Sequence, residues 1–227
     1  ADIPVLDHPL NRKHGRAPQL RLWDLATPGI EAWGDGPVLL VAGVSELPYK
    51  DLLRHYHSLC ERVGPLPAPE VVSVDHGRQR FLLFALPGGR AEGPCRLPAM
   101  AWVDAPVSGA TVGRTFQAHG WAFRDGVGLE RVEVTLDGEV VAEARYGLDS
   151  PGVAAFWEIS TDPNHPAVGW STQVALDPSV SDGIHWLGLR LHGADGNVEV
   201  WPEQPVRVVS GHHEPRPAQQ PGGGDQG

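Results

Sequence analysis

The chain has 227 residues, of which 41% are hydrophobic and 8 are tryptophan, enough for one large or two ordinary cores. Its formal charge is -10, with 18 Lys+Arg against 28 Asp+Glu, which argues against a nucleic-acid partner or an anionic membrane surface held by charge. No run approaches the roughly 18 apolar residues of a spanning helix, so the chain reads as soluble. The start "ADIPVLDHPL" lacks both a basic and an apolar leader region. Ala1 opens the chain and Met100 is its only methionine, so the reading frame is expected to begin upstream of a processed or excised piece.

In chain order, "ATPGIEAW" offers Thr27 as a helix cap and Pro28 at the first helical position. "PVLLVAG", residues 37 to 43, is a continuous apolar run of strand length and reads as a strand buried on both faces. "ELPYKDLLRHYHSLCERVG" carries Leu52, Tyr56, Leu59 and Val63 at helical spacing and ends at Gly64. "PEVVSVD", a His76-Gly77 turn and "RQRFLLFALPG" then form a hairpin, making residues 1–90 a small α/β domain. Gly43 precedes a helix start as in anion sites, but one glycine without a second is an ordinary βα turn.

Residues 91–100 lie within a Gly/Pro-rich stretch without periodicity and read as a linker. From 101 to 209 short strands recur, "TFQAHGWAF", "LERVEVTL", "EVVAEARYG", "GWSTQVAL", "GIHWLGLRLHG" and "VEVWPEQPVRVV", punctuated by Asp-Gly pairs. That spacing predicts an all-β sandwich of roughly seven strands. Within it, 128–147 reads as a hairpin whose Leu136-Asp137-Gly138 loop sets Val134 opposite Val140 and Arg131 opposite Glu143. The tail, 210–227, is expected to be disordered.

Cys60 and Cys95 are too few for a disulfide scaffold or a zinc cluster. In an oxidising compartment they could join and close a loop of roughly 35 residues; two free buried thiols are the alternative. No nucleophile-elbow or phosphate-loop pattern occurs. His8 and His14 with Asp7, His55 with His57, and Asp162 with His165 read as ordinary histidines, since His55 and His57 point roughly 200° apart on a helix. No metal, cofactor or catalytic residue is assigned. Trp121 and Trp186 fall in apolar strand rows and read as core. Trp157 and Trp170 flank the long loop with Asp162, Asn164 and His165; structural packing of the loop is the leading reading of this set, and a sugar or protein contact is the candidate ligand reading beside it, since aromatic faces and polar heads together suit a sugar.

"VDAPVSGATV", "GWAFRDGVGLERVEVTLDGEVVAEARYG" and "DGIHWLGLRLHGADGNVEVWPEQPVRV" resemble bacterial immunoglobulin-like domains, over residues 101–209. The departure is the long loop "YGLDSPGVAAFWEISTDPNHPAVGW". "GRAPQLRLWDL", "GPVLLVAG" and "RFLLFAL" resemble the segment after the last membrane span in bacterial members of the dolichyl-phosphate-mannose-protein mannosyltransferase group. That resemblance implies the extracytoplasmic, non-catalytic part of a multi-spanning glycosyltransferase fed by polyprenyl-phosphate sugar, on the periplasmic side of the bacterial inner membrane. Its partners would be the membrane-embedded portion of the same polypeptide and a glycan or protein acceptor. In that family the acidic catalytic residue sits in the first extracytoplasmic loop near the N-terminus, so no residue of this chain matches it. Two other readings stand beside it: a periplasmic or secreted glycan- or protein-binding module without an enzyme, and an independent hydrolase, for which no carboxylate pair or triad is seen.

Overall fold

The computed structural model describes residues 5–6, 17–27, 29, 36–43, 51–67, 69–74, 79–88, 92–93, 95 and 97–211. The readings placed on His8, His14, Pro28, the His76-Gly77 turn, the helix start after Gly43 and the tail beyond 211 lie outside these residues. The described chain is mostly β-strand.

In the first part, β1 (Val5–Leu6) pairs in parallel with β2 (Ala26–Thr27), and a short helix α1 (Ala17–Leu22) lies between them. Thr27 therefore belongs to a strand and not to a helix cap, and its hydroxyl donates to the Gly29 carbonyl. Then β3 (Val38–Gly43), helix α2 (Leu52–Val63), β4 (Glu70–Val74) and β5 (Gln79–Leu86) follow. The three strands form an antiparallel sheet with β5 in the middle. α2 buries Leu52, Leu53, Tyr56, Leu59, Cys60 and Val63, the 3–4 spacing of one helix stripe. It stops at Gly64, whose positive φ of 88° needs no Cβ and whose N–H returns to the Cys60 carbonyl.

β3 corrects the expectation of a strand buried on both faces. Leu40 and Ala42 are buried, but Leu39 is 59% exposed and Val41 faces outward as well. β3 is an edge strand of a sheet whose other face carries the core, so an unbroken apolar run here covers one buried and one open face.

The second part holds β6 (Met100–Ala105), β7 (Thr111–Val112), β8 (Thr115–Phe123), β9 (Leu129–Leu136), β10 (Glu139–Leu148), a short helix α3 (Pro151–Phe156), β11 (Gly169–Ala175), β12 (Gly183–Gly193) and β13 (Val198–Val208). They form one curled eight-stranded sheet in the order β6-β8-β11-β10-β9-β12-β13-β7. β10 makes the curl: residues 139–144 pair with β9, and residues 145–148 pair with β11. The two arms thus close on a core that includes Phe116, Val132, Val134, Trp170, Leu189 and Val206. Gly120 lets the arm with β6 close tightly, because a Cβ there would lie 2.0 Å from the Trp102 carbonyl oxygen.

The β9–β10 hairpin turns differently from the sequence expectation. Leu136 faces Glu139 across a two-residue Asp137-Gly138 turn, and both turn residues have positive φ, 51° and 85°. An irregularity between Val140 and Ala142 then shifts the register by one, so Val134 meets Ala142 and Glu143 meets Glu133. The bulge, and not a longer loop, returns the apolar row to the core. Asp137 fastens the turn to β12: its carboxylate accepts from His185 Nδ1 at 2.7 Å and from the Trp186 N–H at 2.8 Å.

A second apolar cluster joins the two parts, packing Leu53 and Tyr56 of α2 and Phe84 of β5 with Met100, Phe123 and Trp157. Cys60 and Cys95 are joined by a disulfide that ties the end of α2 to the connector. Two further bonds hold that connector: Arg124 Nε donates to the Leu97 carbonyl, and the Ala99 N–H donates to Glu199.

Candidate functional site

The loop between β10 and β11 is the longest departure from the strand pattern, and local chemistry shapes it. Pro151 sits in the first turn of α3, where its missing N–H costs nothing. The segment then folds back through Trp157, Ser160, Asp162 and His165 onto the β8–β9 turn.

Asp125 of that turn is the organising carboxylate. One oxygen accepts the Ser160 hydroxyl and, at 3.0 Å, the Thr161 N–H; the other accepts His57 Nε2 of α2 at 2.9 Å. Asp162, also buried, accepts the backbone N–H groups of Arg124 and Asn164. Burial pushes its carboxyl upward, opposed by those two N–H donors. Asn164 donates to the Leu129 carbonyl at 2.8 Å and to the Tyr146 hydroxyl, which itself donates to the Ala122 carbonyl. The loop is therefore tied to the β8–β9 turn, β9 and β10 by its own polar groups, and Asp125 links that same turn to α2.

Ser160, His165 and Asp125 have the composition of a triad but the opposite proton routing. The single Ser160 hydroxyl proton goes to Asp125, so His165 Nε2, 3.0 Å from Ser160 Oγ, must carry its proton and donate. Its other nitrogen, Nδ1, is buried without a hydrogen-bond partner, and its ring packs 5.0 Å from Phe123. No imidazole lone pair faces the serine, so His165 does not act as its base. Among the described residues no group of three or more His, Cys, Asp or Glu side chains is placed to hold a metal ion.

The five candidate contact residues are brought into one region with different exposures. Trp157 is 4% and Trp170 1% exposed; the first lies in the second cluster, the second in the sandwich core. Neither presents a ring face for sugar stacking, because each fills a gap between packed elements. Asp162, Asn164 and His165 are engaged as just described. What the loop turns outward is Phe156, 61% exposed, with Glu158, Ile159 and Thr161. The partners of Asp125 could not be foreseen, since His57 lies 68 residues away in sequence.

Two histidines give the fold opposite pH responses. Burial lowers His165 below the usual 6.5, so the unfolded chain takes up the proton first and this contribution to stability is lost as pH falls below about 6.5. The Asp137 hydrogen bond raises His185, so its contribution is present below 6.5 and is lost as pH rises through the raised value. Urea midpoints between pH 5 and 8 should show it. His165→Gln flattens the acid-side loss, whereas His185→Gln costs more at pH 6 than at pH 8.

No protein-family model matches the chain, and no curated protein matches it. Among solved structures it is similar to an endo-beta-1,4-mannanase from Thermotoga petrophila, at 14% identity and a TM-score of 0.34, over 49% of this chain and 20% of that one. The matched part thus spans a fifth of the mannanase. It is similar to fibronectin(III)-like modules of Clostridium thermocellum CbhA, at 16% identity and a TM-score of 0.34, over 50% of this chain and 100% of that one. For CopC from Methylosinus trichosporium OB3b the values are 13%, 0.27, 51% and 99%. Likenesses of this degree assign no activity.

Proposed function

We propose that the chain is the non-catalytic, extracytoplasmic part of a multi-spanning membrane glycosyltransferase that uses polyprenyl-phosphate sugar. In this reading residues 1–90 are a small α/β domain, residues 101–209 an immunoglobulin-like sandwich, and the pair positions an acceptor beside the membrane-embedded portion of the same polypeptide. The observation that carries it is the braced loop: its polar groups bond inward, and Phe156 and Ile159 are held outward on a fixed support. A surface of that kind presents contacts and performs no chemistry. The Cys60–Cys95 disulfide supports an oxidising compartment, as on the periplasmic side. The resemblance of "GRAPQLRLWDL" and "RFLLFAL" supports the enzyme class. Among the described residues no helix is long and apolar enough to cross a membrane, and in this reading the spans belong to sequence upstream.

The test uses membranes bearing the full natural gene product, assayed for sugar transfer from a polyprenyl-phosphate donor. Phe156→Ala with Ile159→Ser is expected to raise the acceptor KM about tenfold with kcat little changed, the mark of lost acceptor binding. A gene product that stays out of the membrane fraction, while the chain alone binds glycan, would make it a free-standing binding module instead.

A further inference from the structure

We infer that the outer face of β6, β8 and β11 binds an extended, neutral glycan with equatorial hydroxyls, and that Trp102 is its stacking ring. Ala101 and Val103 point into the sandwich core, so Trp102 between them stands on the opposite face, where it is 47% exposed. Its cross-strand neighbour on β8 is Trp121. Trp121 is half-buried and joins a covered aromatic band, 5.7 Å from Phe123 and 6.1 Å from Trp157. Trp102 is the ring at the open border of that band. Beyond the border the same face is polar. Register sets His119 opposite Ser171 and Gln117 opposite Gln173, each pair one step further along β8 and β11. Asp104 lies in the β6 bulge that meets His119, and Arg145 of β10 pairs with Ser171. Asp104, Gln117, His119, Arg145 and Gln173 are all exposed, in contrast with the polar groups of the β10–β11 loop, which bond inward.

A glycan matches this pattern of one ring and a polar field. A pyranose with equatorial hydroxyls has apolar C–H faces and a polar rim, so an indole takes the face while carboxylate, imidazole and amide groups take the rim. Four residues of β8 separate Trp121 from Gln117, about 13 Å of strand, so a ligand that touches both ends is longer than one hexose. Equatorial β-1,4 linkages hold successive rings in a flat ribbon, which can lie along an open sheet face; an α-1,4 chain curls away from it. Asp104 and Arg145 carry opposite charges, which suits a neutral polymer better than an ionic one. The inference does not rest on the enzyme reading, because the site lies on this chain's own strands.

The experiment is isothermal titration of the whole chain with cellohexaose, and with maltohexaose as the curled control. Cellohexaose is expected to bind with a Kd on the order of 0.1 mM, at least about tenfold tighter than maltohexaose. Trp102→Ala should weaken it about tenfold, and Gln117→Ala with His119→Ala about fivefold. These variants change exposed side chains, so circular dichroism should confirm an unchanged fold. Phe156→Ala is expected to leave the Kd as it was, which separates this face from the acceptor surface proposed above. The absence of saturable binding up to about 10 mM cellohexaose, equal binding of maltohexaose, or an unchanged Kd in a folded Trp102→Ala chain would overturn the inference. A loss in Phe156→Ala but not in Trp102→Ala would overturn it as well, by placing the contact on the loop.

Discussion

Replacing Arg124 with alanine is expected to lower the unfolding free energy by about 3–5 kcal/mol, the cost of stranding a buried charge. Arg124 and Glu199 are each 2% exposed, and Arg124 Nε lies 3.1 Å from a Glu199 oxygen. That contact is coulombic, since the Nε–H is directed to the Leu97 carbonyl at 3.1 Å. Arg124 Nη1 donates to Asp195 at 2.7 Å, across Gly193, where a Cβ would lie 2.4 Å from that nitrogen. The other Glu199 oxygen accepts the Ala99 N–H. One guanidinium thus links the connector, the Asp195-Gly196 turn and β13. Burial raises the Glu199 carboxyl, and Arg124 is the main group opposing that rise. Without Arg124 the carboxyl must take up a proton to stay buried, so the loss shrinks toward acid pH. Urea unfolding at pH 7.5 and 5 measures both effects. A loss under about 1 kcal/mol at pH 7.5 would mean the pair is dispensable, and Arg124→Met with Glu199→Leu should recover much of what Arg124→Ala loses.

Trp157→Ala is expected to cost about 3–5 kcal/mol, the range for emptying a large aromatic site. The indole lies 5.7 Å from the Phe123 ring, edge to face, and 6.1 Å from Trp121, with Phe156 at 5.0 Å on its outer side. These rings join the loop to the cluster shared with α2, so truncation opens a cavity where the two parts of the chain meet. Phe156→Ala, one residue away but mostly exposed, should cost under about 1 kcal/mol. Denaturant midpoints for the two variants separate them. If Trp157→Ala left stability intact while abolishing glycan binding, the indole would be a sugar platform after all.

This neighbouring pair shows where sequence reasoning stops. A tryptophan in a long polar loop is a fair sugar platform on composition, and nothing local tells it from a loop anchor. Phe123, Trp121 and α2 decide the matter, and they are brought in by pairings 34 residues or more away. The strands from 115 to 208 were legible because period-two alternation is a local record of which face is buried. The same holds for α2, whose 3–4 stripe matches the residues it buries.

By itself the sequence determined the strand pattern of the second part, the α2 helix, where the Asp125-Gly126, Asp137-Gly138 and Asp195-Gly196 turns fall and the acidic charge balance, because each is set by neighbours a few positions apart. Tertiary structure decided the rest. The bulge in β10 follows from the need to bring an apolar row back to the core after a two-residue turn, and the open face of β3 follows from a three-stranded sheet covered on one side, since the middle strand β5 alternates in the same way. The inward-bonded loop and the Arg124–Glu199 pair likewise depend on groups 35 to 75 residues apart. Burial is a property of the assembled chain, and it decides which polar groups must find partners and which aromatic rings remain for solvent.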